Sequence, residues 1–154
     1  MKAQLEFRVV EASNPDLASM IEQLDEDLVQ RYPREDIHGL DFSDPKVAQV
    51  TFAVAYANGA PVGCGGIRPI DAESTELKRF FVQQALRGTG TAARLLAFLE
   101  EEAKKQGFAG IKLETGNRQP EAIRFYEKNG YALIEPYGEY VGGEYSVCFE
   151  KRFD

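Results

Sequence analysis

The chain has 154 residues, 44% of them hydrophobic and 28% charged, which suits one domain over residues 1–154 with a core of its own. A net charge of −7 and a pI near 4.9 weigh against a nucleic-acid partner, because phosphates call for clustered Lys and Arg. Two cysteines, Cys64 and Cys148, have neither metal nor redox spacing and read as core thiols in a reducing compartment.

In chain order, the first strand is expected over residues 4–10. The opening MKAQLEFRVVEAS carries Glu6, Arg8 and Glu11 and no long apolar run. It fits neither a secretion signal nor a membrane anchor, so the expected location is the cytoplasm, with no membrane partner. Asn14-Pro15 gives an N-cap and a first-turn proline. Leu17, Met20, Ile21, Leu24 and Leu28 follow at helical spacing. Residues 31–46 hold Pro33, Gly39 and Pro45 and form the longest irregular stretch, of the kind that often carries function. Residues 47–57 are β-rich, Asn58-Gly59 is a strong hairpin signal, and residues 61–67 make the return strand. Residues 75–82 give another strand. A helix follows over 94–106, with Leu95, Leu96, Leu99 and Ala103 inward and Gly107 ending it. Residues 109–115 form a strand, Pro120 opens a short helix that stops at Asn129-Gly130, and strands at 131–135 and 144–151 complete the set. The order β-α-β-β-β-α-β-α-β-β predicts an α/β fold, a mixed sheet with helices on its faces.

The glycine pair in RGTGTAA, residues 87–93, invites three readings. Gly88-x-Gly90-x-x-Ala93 fits a dinucleotide fingerprint, with Glu114 about where a ribose-binding acid would stand. Against it, the preceding TELKRFFV is half charged, whereas the first strand of such a fold is almost wholly apolar. Val82 is also too far from Gly88 for a tight strand-to-helix turn. The second reading is a plain helix start. The third is a pyrophosphate cradle, in which backbone N–H groups and the helix dipole face one anion and Arg87 adds a charge.

The segment Arg87-x-x-Gly90-x-Ala92 resembles motif A of the GCN5-related N-acetyltransferases. ELKRFFV (76–82) stands directly before it, as in that family, and AIRFYEKNGY (122–131) resembles the family's next motif. The similarity spans nearly the whole chain. GGIRPID, LETGNRQPEAIRFYEKNGY and PYGEY further resemble one bacterial branch of uncertain substrate. The resemblance implies an acyl-CoA N-acyltransferase fold, mostly antiparallel with splayed middle strands and helices on both faces. It also implies acetyl-CoA as cosubstrate, no metal, and direct transfer to an amine of a small molecule or peptide. A homodimer is left open.

By that resemblance, the loop Arg87, Gly88, Thr89, Gly90, Thr91 and Ala92 would hold the pyrophosphate. Phe80 and Val82 would pair with the pantetheine arm through their backbones, and the Val82 N–H would polarise the thioester carbonyl. Tyr126 matches the general acid that protonates the leaving thiolate. The family's pantetheine-binding asparagine, seven residues before this tyrosine, is replaced by Gln119; Asn117 stands two residues earlier. Glu76 is the candidate base, because strict strand alternation would put it on one face with Lys78, Phe80 and Val82. A Ser–His–Asp arrangement is disfavoured, since His38 is the only histidine, and Cys64 has no neighbouring base.

The acceptor pocket would be built from residues 30–44 and 136–143, which contain Tyr32, Arg34, His38, Asp41, Tyr137 and Tyr140. Tyr137 and Tyr140 around Gly138 suggest an aromatic lip. Asp36, Asp41 and Asp44 could attract a cation. A competing class is a non-catalytic acetyl-CoA sensor of the same fold, which the joint presence of Tyr126 and Glu76 disfavours.

Overall fold

The computed structural model of the chain describes residues 4–153. Residues 1–3 of the charged opening segment, and residue 154, lie outside them. The elements are β1 (Leu5–Val10), α1 (Pro15–Leu28), β2 (Thr51–Ala57), β3 (Ala60–Pro69), β4 (Ser74–Val82), α2 (Thr91–Lys105), β5 (Gly110–Gly116), α3 (Pro120–Lys128), β6 (Ala132–Ile134) and β7 (Ser146–Arg152). This is the order expected. The strands form one seven-stranded sheet, β1-β2-β3-β4-β5-β7-β6, antiparallel except at β4–β5. None of the described helices is long and apolar enough to cross a membrane.

Local chemistry explains most boundaries. The Asn14 side chain accepts from the N–H groups of Asp16 and Leu17 at 2.8 and 3.1 Å, which fixes the start of α1. Asn58 and Gly59, at φ 51° and 86°, make the tight turn of the β2–β3 hairpin. Two boundaries differ from the sequence reading by three residues or more. Residues Pro45–Gln49 form a 3₁₀ turn, started by the Asp44 side chain on the Lys46 N–H, so β2 begins only at Thr51. Helix α2 starts at Thr91, ahead of residue 94, because Gly90 at φ 87° turns the chain straight into the helix.

The sheet carries a core on each face. Leu17, Met20 and Leu24 of α1 pack on Phe52, Val54, Cys64 and Phe81. On the opposite face Leu95, Leu96 and Leu99 of α2 pack on Ala53, Ala55, Leu77 and Leu113. Both cysteines are buried free thiols, and burial pushes the Cys64 thiol up to about 12.

Two irregularities at the sheet's centre shape everything that follows. First, β4 and β5 pair only from Ser74–Gly110 to Leu77–Leu113, and beyond that rung they separate. Second, β4 bulges. Lys78 pairs with Gly66 and Phe81 with Cys64, so Arg79 and Phe80 together oppose the single Gly65. Arg79 sits at φ 55°, uncommon for a residue with a side chain. The bulge overturns the alternation expected along 76–82. Phe80 and Val82 pack in the α2 core with Leu77, whereas Glu76 and Lys78 alternate with Leu77 and so take the α1 side, with Phe81.

Candidate active site

A cavity of about 510 Å³ runs through the opening between β4 and β5. It is lined on one side by the start of α2 and by α3, and on the other by α1 and the loop that follows it. Its size suits a small-molecule site.

On the α2 side, Arg87, Gly88, Gly90 and Ala92 line the cavity. Gly88 and Gly90 sit at φ 80° and 87°, and a Cβ built on either would meet no atom within 4 Å. Their outer faces are therefore open. The N–H of Arg94 bonds the Gly90 carbonyl at 3.1 Å, the first such bond of α2. The N–H groups from Gly90 to Ala93 precede it and have no acceptor within the helix, at the positive end of its dipole. The residues present thus suit an anionic group. Thr89 and Thr91 do not face the cavity: their hydroxyls bond each other at 2.8 Å and Thr89 also bonds the Leu86 carbonyl, bracing the loop.

Phe80 and Val82 also line the cavity. The Gln83 N–H bonds the Val62 carbonyl across to β3 at 2.8 Å. In an antiparallel ladder successive N–H groups point to opposite sides, so the Val82 N–H is turned away from β3 and toward the opening. Phe80 stacks on Phe125 at 5.9 Å.

Tyr126, on α3, is buried among Phe125, Tyr131 and Phe149, with ring centroids 5.3, 5.8 and 6.3 Å away. It lines the cavity, and its hydroxyl has no hydrogen-bond partner among the described residues. Burial raises its pKa above the ordinary phenol value, and the nearby Glu114 charge adds to the rise. The phenol stays protonated at neutral pH.

Of the two candidates for the family's asparagine position, Gln119 lines the cavity. Its Oε1 accepts from the Tyr32 hydroxyl at 3.1 Å, and that hydroxyl accepts from the Arg118 N–H at 3.1 Å. Asn117 is exposed and turned to the segment just before β7, its backbone N–H on the Tyr145 carbonyl at 2.9 Å. Tyr32 meets Tyr145 edge to face at 5.5 Å, and Arg118 lies 4.4 Å over the Tyr145 ring. The Tyr32 hydroxyl rests on Gly116, where a Cβ would come within 1.9 Å of it. Gly116→Ala should therefore push Tyr32 off both hydrogen bonds. The expected cost is about 1–3 kcal/mol of stability, read by thermal melting, together with weaker acceptor binding, read as a raised KM.

Glu76 is not among the cavity-lining residues. It is 1% exposed and held by three donors. Arg68 bonds Oε1, while the Tyr137 and Tyr140 hydroxyls donate to Oε2 at 2.7 and 2.6 Å. Lys78 completes the cluster, its Nζ on the Tyr140 hydroxyl at 2.9 Å and the His38 carbonyl at 3.2 Å. Desolvation lowers the Lys78 pKa, against the pull of Glu76. The expected aromatic lip is thus corrected: Tyr140 is buried on this carboxylate. The three loop aspartates also part. Asp36 lines the cavity, Asp41 is bonded by its own neighbour Ser43, and Asp44 caps the following turn.

Three further residues, which the sequence reading did not place here, lie at the same cavity. Tyr145 and Gly116 line the cavity. So does Glu114, whose Oε2 accepts from Ser146 Oγ at 2.9 Å. Burial raises the Glu114 pKa, with Ser146, His38 and Lys78 pulling the other way. The alternation of Ile111 and Leu113 was the available signal for the face on which Glu114 lies.

A mixed sheet split at its centre, with an open helix start on one side of the split, defines the acyl-CoA N-acyltransferase class of fold. The chain belongs to the acetyltransferase (GNAT) family, whose model matches residues 16–131, and it is an acetyltransferase. An IAA acetyltransferase of Azospirillum brasilense is 39% identical over 137 residues, covering 88% of this chain and 89% of that protein. The structure of a proposed acyl-CoA N-acyltransferase of Klebsiella pneumoniae subsp. pneumoniae is 27% identical, with a TM-score of 0.86 over 98% of this chain and 99% of that one. A GNAT family acetyltransferase from Elizabethkingia anophelis, solved with acetyl-CoA bound, has a TM-score of 0.75 at 17% identity, covering 99% and 100% of the two chains.

Proposed function

We propose that this acetyltransferase moves the acetyl group of acetyl-CoA directly onto an amine of a small molecule or peptide, with both substrates bound together in the split of the sheet. The carrying observation is the one cavity that joins the open start of α2 to the loop after α1 through the gap between β4 and β5. The loop from Arg87 to Ala92 would hold the pyrophosphate through the N–H groups of Gly88 and of Gly90 to Ala92, those of Arg87 and Thr89 being taken by the Gln84 and Leu86 carbonyls, with the Arg87 side chain adding charge and Thr89 and Thr91 bracing the loop. Phe80 and Val82 would pair with the pantetheine arm, and Gln119 rather than Asn117 would contact it. The Val82 N–H would polarise the carbonyl. Tyr126 would protonate the departing sulfur. On the acceptor side, Leu24, Leu28 and Ile37 beside Tyr32 and Tyr145 suit an apolar or aromatic body, and Asp36 suits a cationic amine.

The test is free-thiol release from acetyl-CoA against pooled amines, with products identified by mass. IAA belongs in the panel, given the name of the Azospirillum relative. Absence of thiol release across the panel, with acetyl-CoA bound, would return the protein to the sensor reading.

The cofactor end has its own test. Gly90→Asp puts a negative charge where the phosphates would lie, at a backbone φ of 87° that disfavours a side chain. The dissociation constant for acetyl-CoA should rise at least ~10-fold, equivalent to about 1.4 kcal/mol. Titration calorimetry on a variant shown to be folded by circular dichroism measures it, and wild-type affinity would remove the pyrophosphate from this loop.

A further inference from the structure

We propose that Glu114 is the general base of the transfer, receiving the acceptor's ammonium on the α1 side of the split sheet and taking one of its protons. The assignment rests on the transferase reading above.

The geometry of β5 carries it. Leu113 is the last residue of β5 paired with β4, so Glu114 is the first beyond the point where the sheet opens. Ile111 and Leu113 face the α2 core, which turns Glu114 to the opposite side. Tyr126 lies in that α2-side core. Acid and base thus stand on opposite sides of one opening, both lining the same cavity. The carboxylate is held by a single hydrogen bond, from Ser146, and forms no salt bridge among the described residues. That leaves one oxygen free for a substrate. Glu76 differs in each respect: three donors hold it, Arg68 pairs with it, and it does not line the cavity.

The groups facing Glu114 come from five elements. Lys78 and Glu76 face it from β4, and His38 from the loop after α1. Tyr126 of α3, Tyr32 after α1, Tyr140 of the turn before β7 and Cys148 of β7 also feel its charge. Lys78 spends its hydrogen bonds on the Tyr140 hydroxyl and the His38 carbonyl and makes none to Glu114, on which its charge acts only through space. Burial lifts its pKa toward the working range of a base.

The protons balance. The amine nitrogen arrives with three. Glu114 takes one, freeing the lone pair to form the C–N bond. Tyr126 gives its proton to sulfur as the C–S bond breaks, and the nitrogen returns its second proton to the phenolate. The third stays on the amide. Glu114 then releases its proton to solvent, leaving one amide, one thiol and one proton.

The experiment is the pH profile of kcat/KM for wild type, Glu114→Gln and Glu114→Asp, using whichever amine the thiol-release panel identifies, beside melting temperatures and acetyl-CoA affinity. Wild type should rise with pH through the raised Glu114 pKa. Glu114→Gln should lose that limb and ~10²–10⁴ in rate, with acetyl-CoA affinity kept. Glu114→Asp should keep the limb at reduced height, and it carries the test should the glutamine variant fold poorly. Glu114→Gln with an unchanged limb and height, or Glu114→Asp at full wild-type rate, overturns the assignment and leaves the transferase reading standing. A wild type that acetylates no amine overturns the transferase reading, and the assignment with it.

Discussion

Tyr126→Phe is expected to lower kcat by about 10²–10⁴ while changing the KM for acetyl-CoA little. The ring keeps its packing against Phe125, Tyr131 and Phe149 in the variant. The hydroxyl bonds nothing among the described residues, so its removal orphans no buried group. Melting temperature should therefore stay near wild type, which separates this loss from unfolding. Burial keeps the phenol protonated, and its proton is needed only as the sulfur departs. An interaction made chiefly in the transition state appears in kcat. Steady-state kinetics on the identified amine provide the measurement, and an unchanged kcat would make Tyr126 a core aromatic and nothing more.

The sequence announced elements wherever a local signal coincides with a local cause. Asn14-Pro15 and Asn58-Gly59 act within their own turns, and both bound the elements as read. The order of strands and helices followed from such signals, and the family resemblance supplied the split of the sheet. What escaped depends on contacts distant along the chain. Nothing in ELKRFFV marks Arg79 for a positive φ; the bulge arises from pairing with Gly65 and Gly66, and Arg79 is then anchored by Asp25 of α1. That one bulge moves Phe80 and Val82 to the face opposite Glu76. Gly116 reads as an ordinary strand end until Tyr32, far earlier in the chain, is seen resting on it. Glu114 entered the sequence reading only through the dinucleotide alternative, because its place at the opening depends on where β4 and β5 cease to pair.

Glu76→Ala should be the most destabilising of these substitutions, by about 3–5 kcal/mol. The carboxylate is 1% exposed and neutralises Arg68, with Lys78 close by. Its loss leaves the Tyr137 and Tyr140 hydroxyls without their acceptor, Tyr140 in a buried position. For a chain of this size each kcal/mol moves the melting temperature by roughly 2–4 °C, so a fall of about 6–20 °C is expected. Arg68 is partly exposed and can turn to water, which argues for the lower half of that range. Glu76→Gln separates structure from catalysis. The amide can offer its oxygen to Arg68 and its N–H to the tyrosine hydroxyls, which can accept as well as donate. It should recover part of the stability and, once folded, most of the turnover, with the wild-type pH limb. A base cannot be replaced by an amide, whereas a carboxylate that orders Tyr137, Tyr140 and Arg68 can be replaced in part. A folded Glu76→Gln that lost the pH limb and ~10² or more in rate would restore the catalytic role expected from sequence and would remove Glu114 from it.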